Sequence, residues 1–385
     1  MIAARSSWRS PFLRAPVVLI ALAAAFPAGA ALGQSPAPSL DAQVPPPAWR
    51  MEWPDTAFEF ARVDFAEIVS GGVPKDGIPA IDAPVFHDAL SERGLNADEP
   101  VITLVHDGRA RAYPLRYLMW HEIVNDTLGD LEVAVTYCPL CDSGVAFRRR
   151  LDDGTGDALT FGVTGLLRKS DLIMYDRQTE SWWQQFTGNA IVGSHAAADG
   201  ARLVPVPTTT ESWQAFLDRA GTVDELDVLT ADPRFLRPYG MNPYLRYDSS
   251  DKPLLHSDPV DFAALAEIGV KPLDHVAVLR DDGWKASHAW PLAWTPPRSG
   301  EPVRISVEGT ALSIRRHDRY RSVLDTQRIG DGRIIDAVEF TGDDGRTVRH
   351  HLGFAFAFCA LEPAGVWHFP DGRRKVACGS KAAGN

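Results

Sequence analysis

A hairpin pattern that occurs twice sets the strongest limit on how this chain can fold. Val101 to Val105 is an apolar, β-branched run; the turn His106-Asp107-Gly108 follows, then Arg109 to Tyr113 and Pro114-Leu115. Val276 to Leu279, Asp282-Gly283 and Pro291-Leu292 repeat that order, with two more residues between the glycine and the proline. An even difference keeps the same side chains on the same face of a strand. Further on, Ser143 to Arg149 is echoed by Gly309 to Arg316. Leu131 to Tyr137, Gly144 to Phe147 and Ala158 to Phe161 read as further strands, bounded by turn residues. Helical patterns are few and short, one over 114–125 with Pro114 in its first turn and one over 210–220. The expected class is α+β, β-dominated, with two partly repeated β-rich halves. The first half spans 51–235 and carries the chemistry. The second spans 236–385, lacks the cysteine pair of the first, and serves as scaffold or lid.

A chain of 385 residues, 45% hydrophobic and 23% charged, has globular composition. Asp and Glu number 50 against 39 Lys and Arg, a net charge of −11. That excess excludes a general nucleic-acid binder, which needs a basic surface to release counterions. Four cysteines cannot staple a chain of this length, so the core must be hydrophobic, and 11 Trp, 17 Phe and 8 Tyr make it aromatic.

Residues 1–30 read as an export signal. Arg5, Arg9 and Arg14 precede the apolar run Ala15 to Phe26, and Ala28-Gly29-Ala30 suits cleavage. Residues 31–50 form a Pro/Ala-rich leader, and the globular part begins near Trp53. The expected location is the periplasm or outside the cell, with no stable membrane insertion after cleavage. The expected partner is a small molecule or a periplasmic protein. In such an oxidising compartment cysteines are paired or metal-bound. Cys359 and Cys378 are therefore expected to form a structural disulfide.

The sharpest chemical signal is Cys138-Pro139-Leu140-Cys141. Two thiols two residues apart grip one metal ion or cycle between dithiol and disulfide. A strand, Gly144 to Phe147, follows instead of a helix, so the pair sits in a knuckle-like turn. Three readings stay open. In one, Cys138, Cys141 and His121 hold copper or zinc, with Glu122 beside them. In another, a thiol–disulfide enzyme uses the same cysteines, with Glu122 or His121 as proton acceptor. In the third, a non-catalytic binding module carries a structural disulfide. Glu122 falls on the apolar face of the expected 114–125 helix, where a carboxylate is costly unless it is paired or bound. Ser170, Asp171, Asp176, Trp183 and Gln185 are candidates for a pocket wall; turn chemistry and core packing are the alternative for the same residues. His350-His351 is a weaker metal pair, because neighbours on a strand point to opposite faces.

The strings WHEIVND (120–126), TYCPLC (136–141), FGVTGLL (161–167), SDLIMYDRQT (170–179) and SWWQQ (181–185) occur in order. With Tyr239 to Ser250, they resemble the bacterial and archaeal domain-of-unknown-function-3179 family over roughly residues 75–295. The resemblance implies a secreted or periplasmic protein and specifies no substrate. The matching positions are His121, Glu122, Cys138, Cys141, Asp171, Asp176, Trp183 and Gln185. Asp142 stands where the family pattern implies a small residue such as glycine. Its expected effect is to stiffen the turn or to add a carboxylate near the thiols.

Overall fold

The computed structural model describes residues 44–151, 156–255, 259–281, 283–297, 300–345, 347–376 and 378. The expected export signal, 1–30, and the expected leader up to residue 43 lie outside the described residues. The end of the expected leader is ordered, since Pro47–Glu52 is a short helix with proline in its first turn. Trp53, which follows it, is 1% exposed.

Short, mostly antiparallel strands form five small sheets in a propeller-like ring. The first hairpin pairs Pro100–His106 with Arg109–Pro114. Its turn residues Asp107 and Gly108 both have positive φ, the two-residue geometry that matches strand twist. The second hairpin pairs His275–Leu279 with His288–Pro291. Both acquire the same neighbours. Thr208–Ser212 joins the first antiparallel, and His350–Phe354 joins the second in the same way. On the other side each gains one parallel strand, Glu225–Leu229 or Val366–His368. Each then ends on an antiparallel edge, Phe86–Asp88 or Arg374–Val376. A short helix runs on from the outer strand in both copies, Trp213–Leu217 and Ala355–Leu361. The repeat is therefore carried by topology as well as by sequence.

Each copy also carries a three-strand meander. In the first it is Ile123–Leu128, Leu131–Cys138 and Ser143–Arg148. In the second it is Val303–Val307, Thr310–Arg321 and Ile334–Gly342. Thr310–Arg321 is thus the middle strand and corresponds to Leu131–Cys138. The sequence echo, which aligned it with Ser143 to Arg149, is displaced by one strand.

One sheet has no counterpart in the second copy among the described residues. It orders Ile68–Ser70, Phe161–Arg168, Asp171–Asp176, Trp182–Gln184 and Ala190–Val192. All five sheets draw their strands from one side of residue 235 or the other. The described chain nonetheless forms one unit. Trp53, Trp182, Trp183, Trp290 and Trp367 are among its largest fully buried side chains, as the aromatic composition implies.

The helices are shorter than the sequence pattern suggests. The first is Leu115–His121; Glu122 closes it with φ +58, and Ile123 begins a strand. β-branched Ile123 and Val124 favour the ladder with Leu131–Cys138 over one more helical turn. In 210–220 the helix is confined to Trp213–Leu217, because Thr208–Ser212 is a strand. Ser212 caps the helix by accepting from the Ala215 amide. The strand expected over Ala158 to Phe161 starts only at Phe161.

Candidate metal centre

The cysteines sit where two paired strands turn. Cys138 ends one strand opposite Ser143, which begins the next. Between them the amide of Cys141 donates to the carbonyl of Cys138 at 3.2 Å, and that of Asp142 to Pro139 at 3.3 Å. Asp142 completes the turn with φ +46. This left-handed conformation explains why the family pattern implies glycine there, since aspartate is among the few other residues that enter it readily. The Asp142 carboxylate is directed away from the thiols. Its Oδ1 accepts from Tyr137 Oη and its Oδ2 bonds His275 Nε2, both at 2.7 Å.

A second turn closes over the first. Phe161–Arg168 and Asp171–Asp176 are joined by Lys169 and Ser170, both at positive φ, +54 and +63. Neither is glycine, so the hairpin holds two side chains in a conformation that disfavours them. The turn aims the Ser170 carbonyl at both thiols, 3.8 Å from Cys138 Sγ and 3.6 Å from Cys141 Sγ. The Leu172 amide donates to Cys138 Sγ at 3.4 Å. Asp171 Oδ2 accepts from Gln184 Nε2 at 2.6 Å and from the Phe186 amide at 2.9 Å. Asp171 Oδ1 is buried without a hydrogen-bond partner. One donor atom each from Cys138, Cys141 and Asp171 lies within 4.8 Å of the others. All three residues are at most 1% exposed.

Burial governs the charges. It raises Asp171 to about 6, opposed by the Phe186 amide, Gln184 and the two thiols. It raises Glu122 to about 8, and the neighbouring Asp171 carboxylate adds to the shift. Both cysteines are also raised, Cys141 well above the usual thiol range, so at neutral pH they are protonated. Ionising these buried carboxyls and thiols would cost stability unless a cation accompanied them.

The remaining candidate residues divide. Glu122 is 6% exposed, and its carbonyl accepts from the Tyr137 amide at 2.8 Å. Its carboxyl acts electrostatically on Cys138. Gln185 locks the strands beneath the turn, donating to Thr136 Oγ1 and accepting from Ser143 Oγ. Ser170 Oγ donates to the Leu254 carbonyl. Asp176 and Trp183 bond each other at 2.8 Å, and Asp176 also caps Thr179, which is turn chemistry. Ser170, Asp171, Asp176, Trp183 and Gln185 are all buried.

His121 is not brought into the cluster. Its Nδ1 bonds the Pro79 carbonyl and its Nε2 bonds Tyr239 Oη, both at 2.7 Å. Because the helix ends at His121, the ring packs on Phe235 while the following residue turns toward the cysteines. Asp171, and not His121, lies beside the two thiols.

Several contributors were not singled out from the sequence. Tyr247 Oη donates to the Leu140 carbonyl at 2.9 Å, tying the segment 239–255 across the turn. Tyr244, buried near Glu122 and Cys138, lies on the same segment. The Phe354 amide donates to the Cys141 carbonyl at 2.8 Å. The motif at Tyr239 to Ser250 was the available signal for the two tyrosines; nothing local marks His275 or Phe354. Cys359 and Cys378 form the expected disulfide. His350 is held by the Val348 and Val338 carbonyls, while His351 packs against Phe186.

The model of a family described as protein of unknown function (DUF3179) matches residues 75–365. The chain belongs to this family. The match runs past residue 295 and takes in nearly all of the second copy of the repeat, so the family unit is the pair of halves. No curated protein and no solved structure matches the chain. Among the described residues, no helix is long and apolar enough to cross a membrane.

Proposed function

We propose that this family member is an exported metal-binding protein in which Cys138, Cys141 and Asp171 hold one ion. The observation that carries the reading is the buried cluster itself, with one donor atom each of Cys138, Cys141 and Asp171 within 4.8 Å of the others and no amide or hydroxyl on Asp171 Oδ1. Two sulfurs and a carboxylate oxygen suit zinc better than copper(I), which prefers sulfur alone. Three protein ligands leave a fourth position, the arrangement of zinc sites that act on a bound molecule. Glu122 stands next to that centre and tunes its charge. The Cys359–Cys378 disulfide supports export, since such bonds persist in oxidising compartments. The thiol–disulfide reading is less well supported, because a nucleophilic cysteine needs a lowered pKa and some exposure.

Metal analysis of purified protein tests the reading. About one equivalent of zinc or copper per chain is expected, lost in Cys138→Ser and Cys141→Ser and reduced at least tenfold in affinity in Asp171→Asn. His121→Gln should keep its metal. Protein with no bound metal, in which the two thiols instead cycle with a disulfide substrate, would replace this reading by the redox one.

A further inference from the structure

A cleft of about 650 Å³ is reached from the cysteine turn through Asp142 and His275. Its size is that of a small-molecule site. His275, 8% exposed, lines it. Asp142 accepts on one oxygen from Tyr137 and bonds His275 Nε2 with the other. A carboxylate only accepts, so in the neutral ring the proton sits on Nε2 and Nδ1 carries a lone pair. Among the described residues Nδ1 has no hydrogen-bond partner. A ligand that satisfies it must therefore donate, through a hydroxyl or an amine.

The cations of the cleft supply the rest of the complement. Arg316 is held by Asp336 and the Thr295 carbonyl. Arg333 directs Nε and Nη2 at Asp248, which leaves Nη1 free of a partner among the described residues. Lys271 is exposed and forms no ion pair among the described residues. Lys271 and Arg333 suit one carboxylate. Four aspartates, at 248, 251, 274 and 336, line the same cleft and repel a polyanion such as phosphate more strongly than a single carboxylate.

We propose that this cleft binds a small monocarboxylate bearing a neighbouring hydroxyl or amine. The donor group bonds Nδ1 of His275, and the carboxylate meets Lys271 and Arg333. The ligand would thereby contact the hydrogen-bonded chain His275–Asp142–Tyr137, whose last two members flank the cysteine pair. The proposal does not depend on a metal.

Calorimetric titration of the full chain with L-lactate, acetate and inorganic phosphate tests it, before and after chelator treatment. Lactate should bind at least tenfold more tightly than acetate, with phosphate failing to compete, in both preparations. Lys271→Met, an exposed position that leaves the fold intact, should weaken lactate at least tenfold. In the wild type, lactate should move the ring resonances of His275. Equal binding of lactate and acetate would overturn the proposal, as would tighter binding of phosphate, no binding of any probe, or unchanged affinity in Lys271→Met. Lactate binding by untreated protein that carries no metal would count against the metal reading alone.

Discussion

At the scale of single residues, two buried carboxyls define the chemistry. Glu122 titrates near 8 in the folded chain, against 4.5 for an ordinary glutamate. A carboxyl raised in this way favours folding fully below pH 4.5, and that advantage is lost as pH rises through about 8. Glu122→Gln removes the ionisation. Its stability relative to the wild type, both metal-free, should therefore rise by about 3 kcal/mol between pH 5 and pH 8, as read from urea unfolding across that range. A constant difference would mean that Glu122 is solvated or paired. The metal-bound protein should behave in the opposite sense near neutrality. Binding takes protons from both thiols, so affinity should fall steeply as the pH is lowered from 8 to 6, measured by competition with a chromogenic chelator. Cys138, Cys141 and Glu122 were legible in the sequence because each is a residue type that is reactive or costly where it stands. His121 misled because a sequence neighbour was taken for a spatial one. A helix that stops at His121 sends consecutive side chains to different neighbours.

At the scale of elements, two tight turns meet, and each keeps residues at positive φ where glycine is absent. Lys169 is the more exposed of the two in the upper turn. Lys169→Gly should relieve one left-handed side chain, an effect offset by the greater freedom glycine brings to the unfolded chain. Lys169→Asn avoids that offset and should stabilise the protein by about 0.5 kcal/mol, read as a higher urea midpoint at constant slope. Gly165→Ala should do the reverse. Its φ is +76, and an added Cβ would stand 2.1 Å from the Val73 carbonyl oxygen. The strands around these turns were legible from β-branched runs and turn residues. The meeting of the turns was not, because no local pattern records which hairpins share a ring. Asp171 accordingly read as a wall residue and proved to be a candidate ligand.

At the scale of the whole molecule, one repeat is stapled and the other carries the candidate metal centre. Cys359 and Cys378 close a loop wholly within the second copy. Replacing both with serine should cost about 3 kcal/mol in unfolding free energy. Metal content at 25 °C should be unchanged, because neither cysteine touches the cluster. The two hairpins made the repeat visible in the sequence, since their turn and strand residues survive in both copies. The supporting strands did not, because short edge strands such as Phe86–Asp88 and Arg374–Val376 carry little pattern of their own.

The cysteine turn is finished by residues that lie far along the chain. Tyr247 closes over Leu140, Phe354 caps the carbonyl of Cys141, and His275 holds Asp142. During synthesis the two thiols emerge long before any of these partners. The first copy alone would cover the pair with the Ser170 turn but leave it without Tyr247, Phe354 and His275. The arrival of the second copy then acts as a timer, sealing whatever state the pair has reached.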